Sequence, residues 1–313
     1  MTSPGDRFPA AITVVGEAVV DRVRRAEGTL RETPGGSPAN VALGLARLGH
    51  PTTFLTQLGE DAAGALLRDH LQGAGVILDV STTPSGRTST ALATLAADGS
   101  ATYEFDLAFA LPPLTTAEID RLCDVAVLHV GSVSAILGED WGRVRDLAGA
   151  ARGAALVSYD VNLRPALTGA GDDVRARVEA LAATADLVKA SDEDLAALWP
   201  GLAPHESAAH LLSLGASAVV VTLGGDGCLA ITSALDVRRP AHRTTVVDTI
   251  GAGDSFMAGL LHAVAGTDLA LLDAPAWERV LDRAAANAAF TVAHAGAAMP
   301  SPAEVANPDL DGE

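Results

Sequence analysis

Lysine is almost missing from this 313-residue chain: Lys189 is the only one among 21 basic residues, set against 39 acidic ones for a net charge of −18. That balance excludes nucleic acid and anionic membrane as partners. An anionic ligand must therefore be held by local devices, namely helix termini, metal ions and a few arginines. No Gly-Lys-Ser or Gly-Lys-Thr occurs, which excludes a Walker-type phosphate loop. No Gly-x-Gly-x-x-Gly follows the first apolar segment, which excludes a dinucleotide-binding dehydrogenase. Aromatics are only 4% of the chain, so alanine, leucine, valine and glycine must fill the core. The two cysteines, Cys123 and Cys228, lack metal-site spacing and read as buried free thiols of a reducing compartment. The eight histidines show no ligand pairing. No run of 18 uncharged apolar residues exists, and residues 1–10 lack an apolar signal core, so a cytoplasmic protein is expected.

What is present alternates between strand and helix patterns. Strands are expected at 11–16, 51–58, 76–80, 125–130, 155–159, 187–189, 218–223, 227–231, 235–238 and 243–247. Helices are expected at 61–72, 139–151, 174–183, 192–199, 207–214, 254–265 and 277–293. Such alternation implies a mostly parallel sheet covered on both faces, with ligands beyond the carboxyl ends of its strands. A hairpin at 88–107, turning at Asp98-Gly99, interrupts the pattern, and short strands at 19–23 and 29–32 are placed to join it as a lid. The whole of 1–313 reads as one domain, with the lid at about 17–33 and 86–110.

One segment concentrates chemistry: Asp248-Thr-Ile-Gly251-Ala252-Gly253-Asp254-Ser-Phe. It lies between the expected strand at 243–247 and an apolar helical pattern through Phe256, Leu260, Leu261 and Val264. Glycines at a strand-to-helix junction let a ligand approach closely and aim free N–H groups at it, and the helix start adds roughly half a positive charge. This suits the charge growing on a phosphoryl group in flight. Asp254 at the same spot is placed to take the proton of an attacking hydroxyl. A second motif, Gly35-Gly36-Ser37-Pro38-Ala39-Asn40, opens another helix. Ser37 reads as its cap and Pro38 as its first turn, and Asn40 offers both donor and acceptor to sugar hydroxyls.

Together these motifs resemble the two signatures of the ribokinase family of sugar kinases, also called the phosphofructokinase-B family. The likeness extends over nearly the whole chain. It implies a three-layer αβα fold with a mostly parallel central sheet and a small β-sheet lid. It implies ATP with Mg2+ and a monovalent cation, K+. By that resemblance Asp254 is the base and Gly251, Ala252 and Gly253 form the anion hole. Asp21, Gly35, Gly36 and Asn40 hold the sugar. Asn162 and Arg164, in Asp160-Val-Asn-Leu-Arg-Pro165, face sugar or phosphates, although Ala166-Leu167 departs from the family's usual continuation. Lys189, Thr222, Gly224, Gly225, Gly227 and Asn287 lie on the nucleotide side. Asp194 and Asp248 are the metal candidates, with Ser191 and Asp194 standing where the family has Asn and Glu.

The resulting expectation is an ATP-dependent kinase acting on a primary hydroxyl of a small sugar, fructose first, then 2-keto-3-deoxygluconate or ribose. Nucleosides are disfavoured by the aromatic-poor lid. A non-catalytic sugar sensor is the alternative of another class, and the intact Asp254 and glycines count against it. A homodimer through the lid is expected, as in relatives.

Overall fold

The computed structural model describes residues 10–24, 28–82, 86–95, 101–138 and 141–305. Its strands are β1 (Ile12–Val15), β2 (Val19–Arg24), β3 (Leu30–Gly35), β4 (Thr52–Leu58), β5 (Ile77–Thr82), β6 (Thr90–Leu95), β7 (Ala101–Asp106), β8 (Val127–Gly131), β9 (Leu156–Asp160), β10 (Leu187–Ser191), β11 (Ala218–Thr222), β12 (Cys228–Thr232) and β13 (Asp236–Arg239). Nine form the central sheet in the order β13-β12-β11-β10-β9-β8-β1-β4-β5. From β5 to β11 every neighbouring pair is parallel; β12 is antiparallel to both of its neighbours.

The alternation within each strand sorts side chains onto two faces. In β11, Ala218 and Val220 join one apolar core, with Val14, Leu45, Leu260 and Trp277. Val219 and Val221 join the other, with Leu147, Leu181 and Leu211. Helices Ser37–Arg47, Ala252–Val264 and Ala274–Val292 cover the first face. Trp141–Ala151, Asp172–Ala182 and Pro204–Ser213 cover the second. This is the expected three-layer α/β arrangement.

A separate four-stranded sheet has the order β3-β2-β6-β7. Strands β2 and β6, far apart in sequence, pair in parallel, with Asp21 opposite Ala91. Strands 19–23 and 29–32 thus join the expected hairpin, whose Asp98-Gly99 turn lies outside the described residues, as do residues 1–9 and the tail after 305.

The expected strand at 243–247 is not one. The segment has no ladder in either sheet, and Val246 and Val247 are 67% and 59% exposed. Among the described residues its one backbone hydrogen bond runs from the Val247 N–H to the Val292 carbonyl. Its β-prone composition finds no half-buried pleated surface to fit, since β13 already forms that edge. Among the described residues no helix is long and apolar enough to cross a membrane.

Candidate active site

A cavity of about 370 Å³ opens where the carboxyl ends of β1, β8 and β9 meet the small sheet. Glu17, Ser132 and Asn162 follow those strands into it. Asp21, Ala91 and Phe105 come from the small sheet, and Gly36, Asn40, Gly251, Gly253 and Asp254 from the two motifs. A larger, more open groove of about 760 Å³ lies at the opposite strand ends, beside Ala11 and Ala126. Its polar side chains, Thr116, Asp120 and Asp124, are exposed and do not converge.

The turn at 251–253 has the glycine backbone that the sequence suggests for an anion hole. Gly251 caps Ala252–Val264 with φ of 79°, a left-handed conformation that favours glycine. A Cβ there would stand 2.5 Å from that of Ala297. Gly36 likewise has φ of 98°, and a Cβ would meet the Glu17 carbonyl at 2.9 Å.

Asp254 stands in the first turn of its helix, 8% exposed. Ser37 Oγ donates to its Oδ1 at 2.7 Å and Asn40 Nδ2 to its Oδ2 at 2.8 Å. The two motifs, over 200 residues apart, therefore close on one carboxylate. Burial pushes the Asp254 pKa up; the donors Asn40 and Ser37 and the cations Lys189 and Arg164 pull against it. The result is a base stronger than a solvated carboxylate, oriented by two donors. Ser37 is not the helix cap expected from sequence, because Gly36 takes that position and leaves the hydroxyl to Asp254.

Around this carboxylate the cavity is mostly acidic. Burial raises the pKa of Glu17, which accepts the Ser134 N–H at 3.2 Å. Burial also raises that of Asp21, opposed by Arg164. Ser132 and Asn162, at φ of 60° and 36°, are the only non-glycine residues with positive φ among those described, and both line the cavity. The Asn162 amide nitrogen is buried without a partner among the described residues, a donor held for something the cavity receives.

The remaining candidates are not brought into the cavity. Thr222 ends β11, and Gly224, Gly225 and Gly227 form the turn after it, closed by the Leu223 N–H on the Gly227 carbonyl, farther along the same sheet edge. Asn287 lies between the helices Ala252–Val264 and Ala274–Val292, its carbonyl accepting from Ser255 Oγ at 2.9 Å and its amide donating to the Arg283 carbonyl. Lys189 pairs with buried Asp160. Asp194 accepts the Leu163 and Ser191 N–H groups at 2.8 Å each, tying the Asp160–Arg164 loop to the next helix. Asp248 accepts the Ile250 and Gly296 N–H groups, which pins the approach to the anion hole. Both metal candidates thus serve the backbone first. Among the described residues no cluster of three or more His, Cys, Asp or Glu could hold a metal alone. Phe105, Leu107 and Ala91, the apolar wall from the small sheet, are missed by sequence reasoning because no local pattern marks a residue that faces another domain layer.

Comparison with known proteins identifies the family. Residues 10–304 match the pfkB family carbohydrate kinase pattern. A fructokinase of Rhizobium leguminosarum bv. trifolii is 39% identical over 80% of this chain and 78% of its own. Aminoimidazole riboside kinase from Salmonella enterica, complexed with aminoimidazole riboside and an ATP analogue, superposes with TM-score 0.79 at 29% identity, covering 94% of this chain and 98% of that one. A fructokinase double mutant from Vibrio cholerae, bound to fructose, ADP and potassium ion, gives 0.80 at 26%, covering 96% and 98%. The match over residues 10–304, on this three-layer fold, places the chain in the pfkB family of carbohydrate kinases.

Proposed function

We propose that the protein is an ATP-dependent fructokinase. The observation that carries this reading is Asp254, buried beside the Gly251–Gly253 amides and held by Ser37 and Asn40 inside a sugar-sized cavity. In the reaction the primary hydroxyl oxygen of the sugar bonds to the γ-phosphorus. The bond from that phosphorus to the β,γ-bridging oxygen breaks, ADP leaves, and the hydroxyl proton passes to Asp254. The amides at Gly251–Gly253 face the charge that develops on the transferring group. Magnesium fits as an ion brought by the nucleotide and held mainly by phosphate oxygens and water, with Asp194 and Asp248 as outer partners; it would neutralise phosphate charge. The turn Gly224–Gly227 lies where the nucleotide would extend along the sheet edge.

A neutral sugar is favoured over a sugar acid by charge. The cavity holds three carboxylates, Glu17, Asp21 and Asp254, against one guanidinium, Arg164. The 39% identical fructokinase supports fructose among neutral sugars. A riboside is the second reading, supported by the Salmonella neighbour and by Phe105, an aromatic face in the cavity wall. The test is a substrate panel with ATP and Mg2+, with and without K+, covering fructose, ribose, 2-keto-3-deoxygluconate and aminoimidazole riboside. Fructose is expected to give the highest kcat/KM. Turnover of the riboside alone would replace the substrate and keep the kinase, and turnover of none would leave a sugar sensor. An unchanged rate without K+ would dismiss the monovalent cation. The proposal extends to a cytoplasmic homodimer paired through the small sheet, which a monomeric mass in sedimentation would exclude.

A further inference from the structure

Lys189 is the chain's only lysine and is 3% exposed. It lies on β10 directly opposite Asp160 on β9, and its Nζ reaches the two carboxylate oxygens at 3.0 and 2.9 Å. Its neighbours on the strand, Leu187, Val188 and Ala190, are all fully buried and apolar. An apolar pair would suit this sheet at least as well, because removing two charges from water costs several kcal/mol per ion. The pair therefore asks for another use.

Its position supplies one. The Nζ stands 3.6 Å from where a side chain on Gly253 would begin, which puts the ammonium against the anion-hole turn from below. The groups that face Lys189 are Asp160, Asp194 and Asp254, with buried His129 beside it. Those that face Asp254 are Lys189 and Arg164. Asp160 also feels Asp194 and Asp254, and Tyr159 lies next to it. Burial pulls the Lys189 ammonium down, yet its three carboxylate neighbours hold it above the ordinary lysine value, so it stays charged.

We propose that Lys189 and Asp160 are the electrostatic footing of the phosphoryl-transfer site: the ammonium adds fixed positive charge behind the Gly251–Gly253 amides and keeps Asp254 ionised, and Asp160 limits that effect so that Asp254 can still accept a proton. Lys189 is then a positioning residue and not a nucleotide ligand. The inference rests on the kinase reading for its kinetic arm.

The experiment compares pH profiles of kcat/KM for the unmodified enzyme, Lys189→Met, Asp160→Asn and Lys189→Arg. Loss of the cation removes what holds Asp254 ionised, so Lys189→Met moves the acid limb to higher pH and lowers kcat by about 10-fold, less than the ~10²–10³ of a direct anion-hole donor. Asp160→Asn leaves the ammonium unopposed and moves the limb to lower pH. Lys189→Arg keeps the limb near its original place. The KM for ATP should change by less than about threefold throughout. Limbs that stay put or move in one direction in both variants overturn the proposal, as does a large rise in KM for ATP at constant kcat. Should the variants fail to fold, the unmodified protein decides. Grown with 13C,15N-lysine it gives one side-chain signal, which is expected to shift in step with the acid limb; a flat signal overturns the coupling. That measurement needs no turnover, so an enzyme inert to every sugar would sink the kinase reading separately.

Discussion

Asp248 and Asp254 lie six residues apart in one motif and have opposite fates. Asp254 is buried, accepts only side-chain donors, and its pKa rises because desolvation wins. Asp248 is partly exposed and accepts two backbone N–H groups, and its pKa falls, first through Gly296 and then through Ile250. The same side chain is thus a proposed base in one place and a loop pin in the other. What decides is burial: hydrogen bonds lower both pKa values, and only Asp254 is withdrawn from solvent far enough for desolvation to outweigh them. Asp254 gains proton affinity, and Asp248 gives its acceptors to the loop.

Three substitutions put that contrast at risk. Asp254→Asn should have the largest effect, lowering kcat by at least ~10²-fold, a general-base contribution, while the nucleotide still binds. Single-turnover kinetics with nucleotide-binding titration check it, and full activity would remove Asp254 from the reaction. Ser37→Ala should come next, with a fall of several-fold. It removes a donor that lowers the Asp254 pKa, so that pKa rises and the rate is lost at the acid end first. A pH–rate profile whose acid limb stays fixed or moves down would show that the hydroxyl only fills space. Asp248→Asn should matter least to chemistry and act on stability. Its folded pKa is depressed, so its contribution is present above the ordinary carboxylate range and is lost as pH falls through the folded value. Melting temperatures of the two proteins should differ at neutral pH and converge in acid; a gap that persists in acid would assign the effect to packing.

The contrast also marks what a sequence can show. The turn at 251–254 was legible because left-handed Gly251 and first-turn Asp254 are close in sequence and follow from local backbone rules. The three-layer sheet was legible because apolar runs alternate with helical periods. The partnership of Ser37 with Asp254 spans 217 residues and has no local trace, so Ser37 was taken for an ordinary cap. The Lys189–Asp160 pair was hidden likewise, since β9 and β10 set its register and neither strand's sequence specifies it. Residues 243–247 misled in the other direction: β-branched composition promised a strand where the sheet had no free edge to receive one. Asn287 was set on the nucleotide side by resemblance alone, and no local pattern announces that its side chain fills the space that Gly259 leaves between two helices.

The left-handed backbone at Ser132 and Asn162 bears on how this enzyme could be toughened. A non-glycine residue held there is strained by about 1–2 kcal/mol, and both stand on the rim of the cavity. Glycine at Ser132 would relax the chain and recommend itself to any screen for heat resistance. The same relaxation would free the segment that carries Val133 and Ser134 toward Glu17, so a survivor chosen for endurance alone would grip its sugar less firmly.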